Sequence, residues 1–363
     1  MSEYQYFEFR ALDRPLAPEE QEAVAGLSSR TAPHPTRASF VYHYTGFPAD
    51  PLAILARYYD AFFYIANWGT TRLAFRLPAS LVAVEALDPY LVAYHIEVEP
   101  AGEHLILQLT YEQERGYGWT EGEGRLGPLL GLRDELLRGD RRLLYLAWLS
   151  TLDRWDVDKT ETEPPVPAGL QQLTAPQQAF VEEFHLDRHL LTAAAQASPS
   201  PATRREGELE EAIGALSPAQ QRAWLLRLAG GEPNLDIAFR RALLGEQANT
   251  AGDRTVGELL KRARVVRRQQ EREQAEAAEA RRLQELEALA PQADEAWTRA
   301  QALVAEGTAS GYDEGLKLLV KLHDLAIHQG TEAAFARKVH ALREAYAGRY
   351  AALHRRLDEA GLP

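Results

Sequence analysis

His185 and His189 stand four residues apart, just after Glu182 and Glu183. On one helix that spacing puts both imidazoles on the same face, as a metal ion requires. The Glu that directly follows the first His in zinc peptidases is absent, and no third ligand is visible, so a solvated helix face is the plainer reading. A second constellation is His95, Glu97 and His104 on a hairpin. If Val98 pairs with Glu103, Glu97 faces His104 and His95 shares their side. That arrangement suits a general acid–base pair or two metal ligands, and equally a polar sheet face with a favourable cross-strand pair.

Residues 116–127 are rich in glycine and carry Tyr117 and Trp119. Glycines let backbone amides approach a phosphate, but no Gly-Lys-Ser/Thr ending follows and the acids of the loop repel an anion. A recognition loop with Trp119 at its tip and a plain surface loop are the remaining readings. Trp68, in the turn Asn67-Trp68-Gly69-Thr70, is read as a core or turn-packing residue, with a place in a groove between sheet and helix as the alternative. The cationic run is Lys261, Arg262, Arg264, Arg267, Arg268 and Arg272. Lys261, Arg264, Arg268 and Arg272 fall close to one helix face, where they could track phosphates. No aromatic is interleaved, and Glu271, Glu273, Glu276 and Glu279 follow within reach of i,i+4 pairing. The stripe therefore reads first as solvated or protein-docking, and second as nucleic-acid binding. No Ser-His-Asp arrangement has a local signature, and no cofactor is implied.

The elements that must carry these residues divide by composition. The first half is aromatic and punctuated by Pro and Gly; the second is built from Ala, Leu, Glu, Arg and Gln. Strands are expected at 4–9, 40–44 and 72–77, with a hairpin of 92–98 and 105–111 around Glu99-Pro100-Ala101-Gly102. Helices are expected from Pro18, and from Asp50-Pro51 through Leu52, Leu55, Tyr59 and Phe62 or Phe63. A short helix is expected within 79–91, and others over 128–137 and 141–152. Thr174-Ala175-Pro176-Gln177 and Ser217-Pro218-Ala219-Gln220 match the helix capping box. The fold class that follows is an α+β domain over 1–155 and an all-α region of helical hairpins, tetratricopeptide-like, with one long helix. A Pro-rich linker (156–175), a helical segment (176–250), a long charged helix with coiled-coil character (255–289) and a helical-hairpin domain (291–363) complete the division.

With 363 residues and 45% hydrophobic content, two domains with real cores are expected. The formal net charge is −13, and most of that excess lies before residue 166, which disfavours free DNA or RNA as a partner there. The chain has no Cys, so disulfides, thiol nucleophiles and Cys-ligated metals are excluded. No apolar run approaches the ~18 residues of a membrane span. The aromatic start lacks a signal-peptide pattern, so the cytoplasm is the expected location.

The stretch Glu3–Leu16, then Ala66-Asn67-Trp68-Gly69-Thr70, then Gly139-Asp140 leading into Leu144–Leu149, resembles a family of uncharacterised bacterial proteins over residues 1–155. Tyr312-Asp313-Glu314, Leu318-Leu319, His323–Ala326 and Arg356–Leu362 resemble the helical tail of bacterial SWIM zinc-finger proteins. The resemblance implies a shared helical tail and a multi-gene bacterial setting. It implies no catalysis, and no functional residue carries over, because a chain without Cys cannot form the Cys-x-Cys…Cys-x-His zinc site. The function these readings favour is a non-enzymatic adaptor that binds other proteins, or itself, through its helical region. Nucleic-acid binding on the 261–272 face and a hydrolase or metal enzyme on the hairpin residues are the alternatives.

Overall fold

In the computed structural model, the described residues are 3–28, 34–113, 116–118, 120–152, 158–200, 207–244, 252–346 and 351–363. They form two compact units, Met1–Arg267 and Arg268–Pro363.

The first unit begins with β1 (Gln5–Arg10), α1 (Pro18–Ala25), β2 (Arg37–Tyr42), α2 (Pro51–Tyr58), β3 (Ala61–Ala66), β4 (Thr70–Pro78), β5 (Ile96–Ala101) and β6 (His104–Glu112). Among the described residues the six strands make one antiparallel sheet in the order β2-β1-β3-β4-β6-β5. The unit continues with α3 (Gly131–Leu137), α4 (Arg142–Leu152), α5 (Ala175–Glu183), α6 (Arg188–Ala195), α7 (Glu208–Gly214), α8 (Pro218–Ala229), α9 (Leu235–Leu244) and the start of α10 (Val256–Leu289). An α+β domain followed by a helical region is therefore the observed class.

Both faces of the sheet are covered. Phe7, Phe9, Phe40, Phe62 and Tyr64 bury against Val24 of α1 and Ile54 and Leu55 of α2. On the other face, Phe63, Leu73, Phe75, Leu107 and Leu109 join Leu132, Leu144, Phe180 and Leu190 from α3 to α6. This double cover explains β3, all of whose residues are buried. A strand covered on both sides reads as an unbroken apolar run, and periodicity alone cannot separate it from a buried helix. The helix expected to run through Phe62 ends at Tyr58, and Tyr59 is already extended (φ −129°, ψ 169°).

The Pro-rich segment expected as a linker belongs to the first unit's core. Val166 and Leu170 are buried, and the Tyr90 hydroxyl donates to the Pro165 carbonyl at 2.7 Å. Glu163 is buried in a two-point pair with Arg254 at 2.7 and 2.7 Å, and Tyr145 donates to it at 2.7 Å. Burial drives the Tyr145 pKa upward, and the Glu163 charge reinforces the shift. The prolines hold this strap extended without leaving backbone donors to satisfy. Within the 176–250 segment, α5, α6 and α9 contribute to the same core. Phe180, Leu190 and Ile237 share the core with Val256, Leu259, Ala263 and Val266 of α10. Both expected capping boxes form, at Thr174–Gln177 and Ser217–Gln220.

The second unit holds the rest of α10, then α11 (Ala293–Ala305), α12 (Ala309–Gln329), α13 (Glu332–Ala345) and α14 (Ala351–Glu359). Its core is Leu286, Val304, Leu319, Leu322, Phe335, Val339, Leu353 and Leu357. Helices α11 and α12 approach closely because Gly315 faces Ala300 and Val304, where an added Cβ would stand 3.0 Å from a Val304 methyl. None of the described helices is long and apolar enough to cross a membrane.

Candidate functional site

A cleft of about 700 Å³ opens where the end of β4 and the β5–β6 turn meet the loop before α9. Its walls include Ser80, Glu103, His104, Asn234 and Arg241, with Asp13 at the edge of a charged cluster. Arg133 forms a two-point pair with Asp13 (2.8 and 2.7 Å), and its Nε donates to the Arg76 carbonyl at 2.9 Å. Asp60 takes the Arg76 guanidinium on Oδ1 at 2.7 Å, and the Leu12 and Asp13 amides on Oδ2 at 2.6 and 3.0 Å. Asn234, in the left-handed region at φ 58°, donates its side-chain amide to Asp13 at 3.1 Å. Asp60 and Arg133 are each 1% exposed.

Burial raises the Asp13 pKa, but the Arg133 hydrogen bonds and charge outweigh it, so the net shift is downward. The cluster holds two carboxylates and two guanidiniums, hydrogen-bonded to one another, to backbone and, at Asp13, to the Asn234 amide. Such a network fixes geometry. His104 differs. Burial, reinforced by the positive charge of Arg76, lowers its pKa, favouring a neutral imidazole. No carboxylate among the described residues hydrogen-bonds it.

The hairpin register separates the expected trio. Glu97 lies opposite Gln108, and His104 lies opposite Ala101. Glu97's partner Gln108 stands four strand positions, about 13 Å, from His104. The Glu97 carboxylate instead accepts from the Tyr94 amide at 3.2 Å, and His95 Nδ1 meets the Thr110 carbonyl at 3.3 Å. His185 and His189 do not share a helix. α5 ends before His185, which turns the chain at φ 49° and sits against Tyr111 and Tyr117 at 5.8 and 5.9 Å between ring centroids. His189 Nδ1 meets Asp187 at 2.9 Å. No group of three metal-binding side chains occurs among the described residues.

Lys261, Arg264, Arg268 and Arg272 are exposed on α10. Arg272 pairs with Glu276 at 2.6 Å, and the adjacent Arg267 pairs with Asp187. Trp119 lies outside the described residues. Trp68 is 45% exposed, which excludes the core and leaves the turn-packing reading.

A different surface stands out on α8. Leu225, Leu226 and Leu228 are 64%, 62% and 65% exposed, and no residue of α7 or α8 is buried. Beside them lies an apolar groove of about 450 Å³, lined by Ile213, Leu216, Trp224, Leu225, Leu228 and Phe239. The rings of Trp224 and Phe239 are 4.9 Å apart. Arg227 lies 4.2 Å over Trp224 and is held by Glu232. The signal was present in Trp224-Leu225-Leu226-Arg227-Leu228, an apolar arc too wide for a helix that buries one stripe.

No family model, curated protein or solved structure matches this chain.

Proposed function

We propose that the protein is a non-enzymatic adaptor, and that the α7–α9 groove receives an amphipathic helix of a partner protein. The observation that carries this reading is the exposure of three leucines on one helix beside an apolar groove. Contiguous apolar surface of this kind on a folded protein marks an interaction site. The acids Glu208, Glu210 and Glu211 at the start of α7 favour a partner helix with basic residues flanking its apolar face. The saturated Asp13–Asp60–Arg76–Arg133 cluster and the separation of Glu97 from His104 weigh against chemistry at the hairpin.

The test compares the tagged full chain with a Leu225→Ser/Leu228→Ser variant in lysate of its own cells. A partner protein retained by the first and lost by the second supports the reading. A strictly monomeric chain that retains nothing, or a partner retained equally by both, overturns it. Cytoplasmic location and a multi-gene bacterial setting belong to the same proposal.

A second reading, a hydrolase using His104, is favoured by that residue's place on a 700 Å³ cleft. It requires a hydrolytic activity that is lost in His104→Ala; its persistence in the variant removes this reading.

A further inference from the structure

The second unit carries its own groove, of about 840 Å³, lined by residues of α11 and α12. Leu303, Leu316 and Val320 give it an apolar floor, and Arg299, Lys317 and Lys321 stand at its rim. Two rows run side by side along α12. Leu316 and Val320 form the apolar one; Lys317 and Lys321 form the cationic one, each at the i,i+4 interval that aligns side chains on a helix. Two acids also line the groove. Asp313 is engaged by Arg356 at 2.8 Å, which leaves Glu314 against three cations. None of those three cations forms an ion pair among the described residues, and neither do Arg268, Arg281 and Arg337 of the same unit, whereas Arg272, Arg282, Lys338, Arg343, Arg355 and Arg356 do.

We infer that this groove docks an acidic amphipathic helix of a partner protein. The apolar floor takes the helix's leucine-type stripe, the usual way a helix seats in a groove. The unpaired rim supplies the charge complement: carboxylates on one flank reach Lys317 and Lys321, and those on the other reach Arg299. A nucleic acid backbone matches the cations but gains nothing from Leu303, Leu316 and Val320, so the pairing of floor and rim selects a protein. A second, oppositely flanked docking surface is what an adaptor needs to join two partners, yet this inference stands on residues separate from the α8 leucines.

The experiment titrates the full chain into a fluorescein-labelled synthetic helix of about 18 residues, long enough for five turns. One version carries Leu on one face and Glu on the other; a second replaces every Glu with Lys. Saturable binding of the acidic peptide is expected, weakened about ten-fold or more by Lys317→Glu/Lys321→Glu and by added salt. Val320→Asp, which spoils the floor without touching the rim, should weaken it as well. Both lysines and Val320 are exposed, and unchanged circular dichroism checks the fold. Leu225→Ser/Leu228→Ser should leave peptide affinity unaltered, so failure here and failure of the α8 reading are distinguishable. The inference is overturned if the acidic peptide does not bind or the basic one binds as tightly. It is also overturned if charge reversal leaves affinity unchanged, or if a single-stranded oligonucleotide binds the same lysines more tightly than the peptide.

Discussion

Arg133 and Asp13 stand 120 positions apart in the chain and meet in a two-point ion pair at 2.8 and 2.7 Å. The pair fastens α3 to the loop that leaves β1. Through the Arg76 carbonyl and Asp60, it also ties that loop to the β3–β4 pair. Its place beside a ligand-sized cleft invites a catalytic reading, but its partners are already fixed.

Arg133→Leu should therefore destabilise the first unit and leave no chemical signature. Removing one partner of a buried pair strands the other charge and costs about 3–5 kcal/mol. Differential scanning calorimetry should show one transition moved down and the transition of the second unit unmoved. An unchanged thermogram would mean that Asp13 and Asp60 find other partners.

What the sequence made legible follows from local periodicity. β4 alternates Leu73, Phe75 and Leu77 against Arg72 and Arg76, which places a strand at 72–77, inside the observed Thr70–Pro78. β3 was not, because both its faces are covered. The hairpin was readable but its register was not. Pro100 looks like a turn residue, yet it lies within β5. A proline is tolerated there because β5 is an edge strand, with no neighbour waiting for its missing N–H. The turn falls instead at Gly102 (φ 66°), and this places His104 opposite Ala101. The charged cluster left no local signature at all, since positions 13, 60, 76 and 133 come together only in the fold.

Gly69→Ala should be among the more damaging single-methyl additions. Gly69 has φ +109°, and an added Cβ would stand 2.1 Å from the Gln113 carbonyl oxygen. Backbone strain of this kind costs about 1–3 kcal/mol, and the clash adds to it. Gly102→Ala is the control: its φ is +66° and nothing lies within 4 Å of an added Cβ, so it should feel the strain alone. The difference in melting temperature between the two variants measures the close approach of the β3–β4 turn to the end of β6.

The lowered pKa of His104 sets a pH window with a definite sign. The unfolded chain takes up the proton first as pH falls through the ordinary value of 6.5, while the folded protein resists until its own lower value. Stability is therefore undiminished above about pH 6.5 and declines as pH drops from there to the folded value. Asp13 acts in a more acidic range. Its lowered pKa gives stability that is present above the ordinary 3.8 and lost as pH falls through the folded value. Melting temperature against pH should lose the first decline in His104→Gln and show a smaller second one in Asp13→Asn, since Glu20 and Asp187 also have lowered pKa values. A His104→Gln profile that still falls below pH 6.5 by the same amount would transfer the effect to another group.

The α10 cations decide between docking and nucleic-acid binding. A duplex would have to compete with Glu276 for Arg272, and Arg267 is already paired with Asp187. The chain also carries a net charge of −13, which opposes approach of a polyanion at low ionic strength, where screening is weakest. The full chain should pass through a heparin column at low salt, and Arg264→Ala/Arg268→Ala/Arg272→Ala should elute at the same position. Retention that falls steeply with salt, and is lost in the triple variant, would establish a phosphate-tracking face on α10. The slope of that salt dependence would count the phosphates contacted. Because Lys317 and Lys321 lie outside the triple variant, retention that survives it would trace instead to the α11–α12 groove, and the acidic-helix assignment would have to yield to a nucleic acid there.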